Sequence, residues 1–216
     1  MGSARHEVRT AVHGTPRPGV LIVLGQASFF VFLAISIALH PGFVLKVDEG
    51  GISNYGIHLK TGVPYSLAFL LCAWFSVAAA RHYRESGGVA HRFRYLLDSY
   101  GGLLLLTLAS TYGYKLNAGL KEFHIVVGVV MITFELVASV WMFAQLEGGW
   151  DRVSLILQVA GCAVAGVTVL GALHLLFLGQ ALADVGFALL LVHLGLVTGS
   201  SAPGQPQNHG SSRRSR

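Results

Sequence analysis

Six long apolar blocks dominate this chain, and each has about the length, roughly 20 residues, that crosses a lipid bilayer. They occupy residues 20–40, 63–80, 96–112, 123–144, 153–174 and 178–198. Within each block the apolar residues do not alternate with polar ones, as they would in a barrel strand. Only a helix pairs all of its own backbone groups inside lipid. We therefore predict an all-α fold, an integral membrane bundle of six helices.

The composition agrees with a membrane protein. Of 216 residues, 53% are hydrophobic and 12% are charged, whereas soluble domains carry about 25% charged residues. The formal net charge is +5, but the sequence shows no basic face with interleaved aromatic residues, so no nucleic-acid partner is predicted. Cys72 and Cys162 lie inside apolar blocks. They predict small buried side chains and no disulfide.

The arginines indicate which side of the membrane each link faces. All 11 lie in the two termini, between blocks two and three, or between blocks four and five. These segments share one side of a six-helix chain, and arginine is enriched on the cytoplasmic side. We therefore predict that both termini are cytoplasmic. The predicted domains are a disordered basic N-terminus over 1–18, a transmembrane domain over 19–199 and a disordered basic tail over 200–216.

A polar stretch, DEGGISNYGIHLKTGVPYS over residues 48–66, separates the first two blocks and faces outward in this topology. Glycines at positions 50, 51 and 56 permit positive φ and close backbone approach. Ser53 and Asn54 can cap a turn or a helix. We predict a folded outer cap between helices one and two, with the second helix beginning at residues 61–64.

The segment ISNYGIHLKTGVPYSLAFLL, with the acidic-glycine lead DEGG before it, resembles the corresponding link in a group of six-helix membrane proteins. That group contains the DRAM-like proteins (damage-regulated autophagy modulators) and the prokaryotic family called domain of unknown function 998. The resemblance implies six helices and a part for Asn54, Tyr55 and Gly56 in the cap. Eukaryotic members of the group are tied to lipid handling and membrane trafficking. The resemblance implies no catalytic residue.

Four histidines are predicted near the outer face: His40, His58, His124 and His174. Lys60, Glu122, Gln180 and Asp184 lie at similar heights. No two of the four histidines share a helix at a spacing of three or four, so there is no local zinc motif. Six-helix di-haem cytochromes need histidine pairs at two depths, and the inner half offers only His193. We predict no cofactor, with zinc on the outer histidines, or a haem between His124 and His174, as alternatives.

Two ionisable residues lie near mid-membrane, where an unpaired charge is costly. Counting about 1.5 Å per residue puts Glu135 and His193 at similar depths, and we predict that they satisfy each other. Gln26 lies at a comparable level and Gln158 lies lower. Three hypotheses stay open: a structural polar clamp, a proton-coupled or ligand-gated element, and a neutral Glu135 bonded to a backbone carbonyl.

Two pairs of small residues predict close helix packing. Gly161 and Ala165 form one pair, and Gly195 and Gly199 form a G-x-x-x-G in the last block. The second pair also suggests a homo-oligomer. Membrane lipids are the other predicted partners.

The sequence contains no nucleophile motif, phosphate-binding loop or zinc-protease helix. We therefore favour a non-enzymatic multi-pass membrane protein linked to lipid organisation or membrane scaffolding. The alternatives are a proton-linked small transporter using Glu135, His193 and Asp184, and an outer-face metal- or haem-dependent enzyme. We place the protein in the cell membrane, or in an endolysosomal membrane if its source is eukaryotic. The candidate ligand or coupling residues are Tyr55, His58, Lys60, His124, Glu135, His174, Asp184 and His193.

Overall fold

The computed structural model describes residues 17–45, 51–113, 116–146, 148–171 and 175–200. Most of the two segments predicted to be disordered, 1–18 and 200–216, lies outside these ranges, as do Gly50 and His174.

The described residues are helical and contain no strand. The elements are α1 (Pro18–Leu39), α2 (Gly42–Leu45), a 3-10 helix (Gly51–Ile57), α3 (Leu59–His82), α4 (Gly88–Gly113), α5 (Ala118–Phe143), α6 (Gly149–Val169) and α7 (Leu176–Ser200). Each predicted block coincides with one long helix, so the all-α class is confirmed.

Five of these helices are long and apolar enough to cross a membrane, namely α1, α3, α5, α6 and α7. Among the described helices, α4 is the long one that does not meet this standard. Its first half carries Arg92, Arg94 and Asp98, so its apolar part is shorter than the helix itself. A multi-pass membrane protein is therefore supported, and the sixth span stays a prediction.

Several predicted helix boundaries are wrong. Helix α4 begins at Gly88, eight residues before its predicted block, and α5 begins at Ala118, five residues before its block. The second long helix, α3, begins at Leu59 rather than at residues 61–64, because the His58 carbonyl accepts bonds from the N–H groups of Thr61 and Gly62 (3.1 and 2.7 Å). The fifth, α6, ends at Val169, five residues before the predicted end of its block. Gly171 follows with a φ of +81°, a left-handed conformation that ends the helix.

The long helices form a ring in which successive elements run antiparallel. Helix α1 packs on α3 and α7, α4 lies between α3 and α5, and α7 also contacts α5 and α6. The start of α3 lies beside the end of α1, where the Ser36 hydroxyl reaches the Thr61 carbonyl (3.5 Å). We call this the first-link end, after the first link, residues 40–58. The arginines at positions 17, 81, 84, 92, 94 and 152 lie on or beside the opposite helix ends, which we call the arginine end.

The predicted packing of Gly161 and Ala165 is confirmed, because both lie against α7. A Cβ atom on Gly161 would overlap the backbone of Ala183, and one on Gly179 would lie 2.5 Å from the Ala165 nitrogen. Farther along, a Cβ on Gly186 would lie 2.5 Å from the Gln158 nitrogen. These glycines let the two backbones approach more closely than larger side chains would allow.

The other glycine pair packs within the chain as well. A Cβ on Gly195 would lie 2.5 Å from Cδ1 of Ile22, and one on Gly199 would lie 3.4 Å from the Gly19 nitrogen. This face of α7 therefore supports α1. A homo-oligomer through Gly195 and Gly199 stays a prediction, and it would require α1 to leave this face.

Candidate functional site

Each of the six long helices contributes one polar side chain to a buried cluster between the helices. We call it the central cluster, and its members are Gln26, Cys72, Tyr100, Glu135, Gln158 and Asp184. All except Asp184 are at most 5% exposed. A polar group from every long helix at one place is not expected of an apolar packing core, since buried polar groups are costly unless they are bonded.

One half of the central cluster is a chain of weak hydrogen bonds through sulfur. The Gln26 amide donates to Sγ of Cys72 (3.5 Å), and this thiol donates to the Tyr100 hydroxyl (3.9 Å). The Tyr100 ring packs on Phe187, with centroids 4.9 Å apart. The sequence predicted Cys72 only as a small buried side chain, but it joins α1 to α4.

The other half contains two carboxyl groups. Glu135 is 3% exposed, and Asp184 lies close enough for their charges to interact. Within the described ranges, no Lys, Arg or His forms an ion pair with either carboxyl. Burial, a like charge nearby and no opposite charge together make the doubly ionised pair unfavourable.

Gln158 lies beside these carboxyl groups and is fully buried. Its amide is within hydrogen-bonding reach of Glu135, and its nitrogen also donates to Sγ of Cys162 (3.6 Å). Its Oε1 atom has no hydrogen-bond partner among the described residues. A protonated carboxyl could donate to such an oxygen, whereas a carboxylate could not.

The predicted pairing of Glu135 with His193 is wrong. His193 lies with its Nδ1 atom 2.6 Å from Oδ1 of Asp151. Asp184 and His193 are nine residues apart on α7, which is about two and a half helical turns. They therefore point to opposite sides of the helix, and Asp184 faces the side of Glu135. Depth along the membrane normal, from which the pairing was predicted, does not fix the direction around the helix axis.

The Asp151–His193 pair joins α6 to α7 at the arginine end. The Asp151 side chain is 3% exposed, whereas His193 is 44% exposed. The second carboxylate oxygen of Asp151 accepts a bond from the Gly148 N–H (2.9 Å). Asp151 lies in the first turn of α6, where a carboxylate is favourable.

His124 joins three elements at the first-link end. Its Nε2 atom lies 3.0 Å from the Ser53 hydroxyl of the 3-10 helix. Its Nδ1 atom lies 2.8 Å from the Ser110 hydroxyl of α4. A neutral imidazole can serve both hydroxyls, because one ring nitrogen donates and the other accepts. The imidazole thus connects the first link to α4 and α5.

A second anchor fixes the first link to α7. The Ile52 N–H donates to Oε1 of Gln180 (2.8 Å). This contact needs glycine before it, since Gly51 has a φ of +48° and a Cβ there would overlap the same oxygen. Gly56 likewise permits a close approach, because a Cβ on it would lie 2.6 Å from a methyl carbon of Thr111.

Aromatic rings fill the rest of the first link. His40 stacks on Phe43 with centroids 3.9 Å apart, and His58 lies 4.6 Å from the same ring. Tyr55 is fully buried, and burial raises the pKa of its hydroxyl, so it stays a donor to the His40 carbonyl (3.4 Å). Lys60 is exposed at the start of α3. The described residues of the first link, 40–45 and 51–58, are therefore packed against the bundle and one another.

Among the outer histidines that the structure describes, His40 and His58 lie together, with ring centroids 6.0 Å apart. His40 and His58 lie around Phe43, while His124 bonds to the two serines, and His174 lies outside the described residues. In the part of the chain that the structure describes, no three His, Cys, Asp or Glu residues are grouped to hold a metal ion. Zinc or haem on these histidines stays a prediction.

A scan against protein-family models and searches of curated proteins and solved structures found no significant match. The resemblance of the first link to the DRAM-like and domain of unknown function 998 group therefore stays a prediction. Function is therefore inferred from the chemistry of the residues in the central cluster.

Proposed function

We propose that this multi-pass membrane protein is proton-linked, and that Glu135 and Asp184 take up and release a proton as it works. The observation that carries the proposal is the pair of Glu135, which is buried, and Asp184, which is partly buried, beside a Gln158 oxygen that has no partner among the described residues. Two ionised carboxylates in a low-dielectric site repel each other, so the pair is expected to share a proton. The proton would let Glu135 or Asp184 donate to Gln158.

The structural-clamp hypothesis explains this pair less well. A clamp between helices is best built from groups that satisfy each other, such as an acid and a base. The Asp151–His193 pair is of that kind. The central cluster instead puts two acids together, and ionisable residues inside membrane bundles commonly mark proton or ion pathways.

We further propose six spans with both termini in the cytoplasm and the first link outside, in the cell membrane or, in a eukaryote, an endolysosomal membrane. The grouping of the described arginines at the end opposite the first link supports this orientation. The described residues of the first link then lie at the outer end of the bundle, and the carboxyl pair lies between the two aqueous phases.

Infrared difference spectroscopy tests the proposal without a known substrate. The purified protein should show the carbonyl band of a protonated carboxylic acid at neutral pH. Glu135→Gln and Asp184→Asn should each abolish or shift this band while the protein stays folded. The control is Glu122→Gln, which removes an exposed carboxyl from the same helix as Glu135. An unchanged band in both central variants, or no band in the native protein, would refute proton sharing.

Proton movement is the second measurement. Protein in liposomes with an internal pH dye should take up protons under an imposed potential, and Glu135→Gln should reduce uptake to the level of empty liposomes. A shared proton without any uptake would refute the proton-linked function and leave a static polar element.

A second candidate function, lipid organisation, is favoured by a different observation. An apolar groove opens sideways between α4 and α5 at the arginine end. Such a groove contacts lipid whichever end of the bundle is cytoplasmic, so a lipid is expected to bind there.

A further inference from the structure

The groove between α4 and α5 has a volume of about 230 Å³. Its lining residues are Arg92, Leu96, Phe134, Val137, Ala138 and Trp141. Sites for drug-sized ligands are usually larger, roughly 300–1,000 Å³. A narrow apolar groove of this size suits part of one acyl chain.

The spacing of the lining residues explains the shape of the groove. Phe134, Ala138 and Trp141 lie on one face of α5, because residues three and four apart are neighbours on a helix. The small Ala138 leaves space between the two rings. Arg92 and Leu96 are four apart on α4 and form the facing wall.

The groove has a polar end and an apolar end. Helix α4 begins at the arginine end and α5 finishes there, so Arg92 and Trp141 lie nearer that end than Leu96 and Phe134. Tryptophan is enriched at the membrane interface, and arginine side chains extend towards it. The groove thus runs from the interface into the hydrocarbon region.

Arg92 has no acidic partner among the described residues. Its neighbour Arg94 differs, because its guanidinium lies 3.6 Å from the Asp98 carboxylate. A guanidinium group matches the geometry of a phosphate, with which it can form two parallel hydrogen bonds. Basic pockets between membrane helices at the cytoplasmic face bind anionic headgroups.

From these observations we infer that the groove binds one anionic phospholipid, with an acyl chain against Ala138 and the headgroup phosphate on Arg92. A second copy of the chain could also cover an apolar groove, but it would have to place an acidic group opposite Arg92. This inference names a ligand for the second candidate function, lipid organisation. It rests on that function only in assuming that the groove contacts lipid. It does not depend on the carboxyl pair.

Native mass spectrometry of the full chain released from mixed micelles tests the inference. Phosphatidylglycerol and phosphatidylcholine with identical acyl chains are supplied in equal amounts. The native protein should retain phosphatidylglycerol in preference. Arg92→Gln should reduce this preference about fivefold, the effect expected for one basic residue near an anionic headgroup. Arg92→Lys, which keeps the charge but cannot form the two parallel hydrogen bonds, should keep only part of it.

Two further variants separate the groove from general basic charge. Arg84→Gln removes an exposed arginine from the same end of the bundle but outside the groove, and should leave the preference unchanged. Ala138→Leu should reduce retention of both lipids by filling the groove. Circular dichroism and elution volume check that each variant is folded.

Three results would overturn the inference. The first is equal retention of the two lipids by the native protein, and the second is an equal effect of Arg84→Gln and Arg92→Gln. The third is a lipid-free dimer that Ala138→Leu disrupts, since the groove would then be a protein interface. Proton uptake measured on the same Arg92→Gln protein should be unchanged, so failure of the lipid site and failure of the carboxyl pair are distinguishable.

Discussion

Removing His193 should destabilise the protein more than removing Asp151, its partner. His193→Ala leaves the Asp151 carboxylate buried, 3% exposed, with the Gly148 N–H as its described partner. Asp151→Ala leaves His193, which is 44% exposed and can be hydrated. The asymmetry follows from burial, because an unpaired charge is costly only where water cannot replace its partner.

The sizes of the two effects can be compared. Loss of a helix N-terminal acceptor costs roughly 1 kcal/mol, and this is the main effect of Asp151→Ala. A buried donor or acceptor left without its partner costs about 1–3 kcal/mol, and more if it is charged. Breaking a fully buried ion pair costs roughly 3–5 kcal/mol, and a smaller cost is expected here because this pair is buried on the Asp151 side only, with His193 44% exposed. We expect about 2 kcal/mol for His193→Ala.

Equilibrium unfolding in mixed micelles measures both values. The decisive variant combines His193→Ala with Asp151→Asn, because asparagine can still accept from the Gly148 N–H but has no charge. It should recover about 1 kcal/mol of the stability that His193→Ala loses. A smaller loss for His193→Ala than for Asp151→Ala, or no recovery in the double variant, would show that Asp151 is not buried as an ion.

Two other predictions concern the first link and the orientation. Gly51→Ala should cost about 2–3 kcal/mol in the same unfolding assay, from a left-handed φ and the lost Ile52–Gln180 bond. Gly87→Ala, with no neighbouring atom near its added methyl group, should cost little, and equal effects would contradict the contact. A cysteine at Lys60, but not one at Glu85, should react with an impermeant thiol reagent in intact cells. The reverse pattern would invert the proposed topology.

The helices themselves could be predicted because lipid offers no hydrogen-bond partners to the backbone. A block of apolar residues inside a bilayer must pair its own N–H and C=O groups. Polar residues at the edge of a block can bond to water instead of to their own helix. The predicted helix boundaries were wrong at such edges. The His58 carbonyl starts α3 before its apolar block begins, and Gly171 ends α6 inside the predicted one.

The partners of the buried polar groups could not be predicted in the same way. A sequence gives the height of a residue along a helix, but neighbouring helices and the rotation of each one depend on packing. Asp184 was predicted at the outer face, and it joins the central cluster because the face of α7 that carries it turns towards α5. The sequence did indicate that Asp184 and His193 point to opposite sides of α7, since they are two and a half turns apart on one helix.

The polar groups at the two ends of the bundle differ from those at its centre. At the ends, His124 bonds to two serines, and Asp151 bonds to a histidine and a backbone N–H. In both places each donor has an acceptor as its partner. At the centre, two acids lie together and the Gln158 oxygen has no described partner. Proteins commonly break local rules of this kind at functional sites. The ends are therefore expected to hold the bundle together, and the centre to change its protonation.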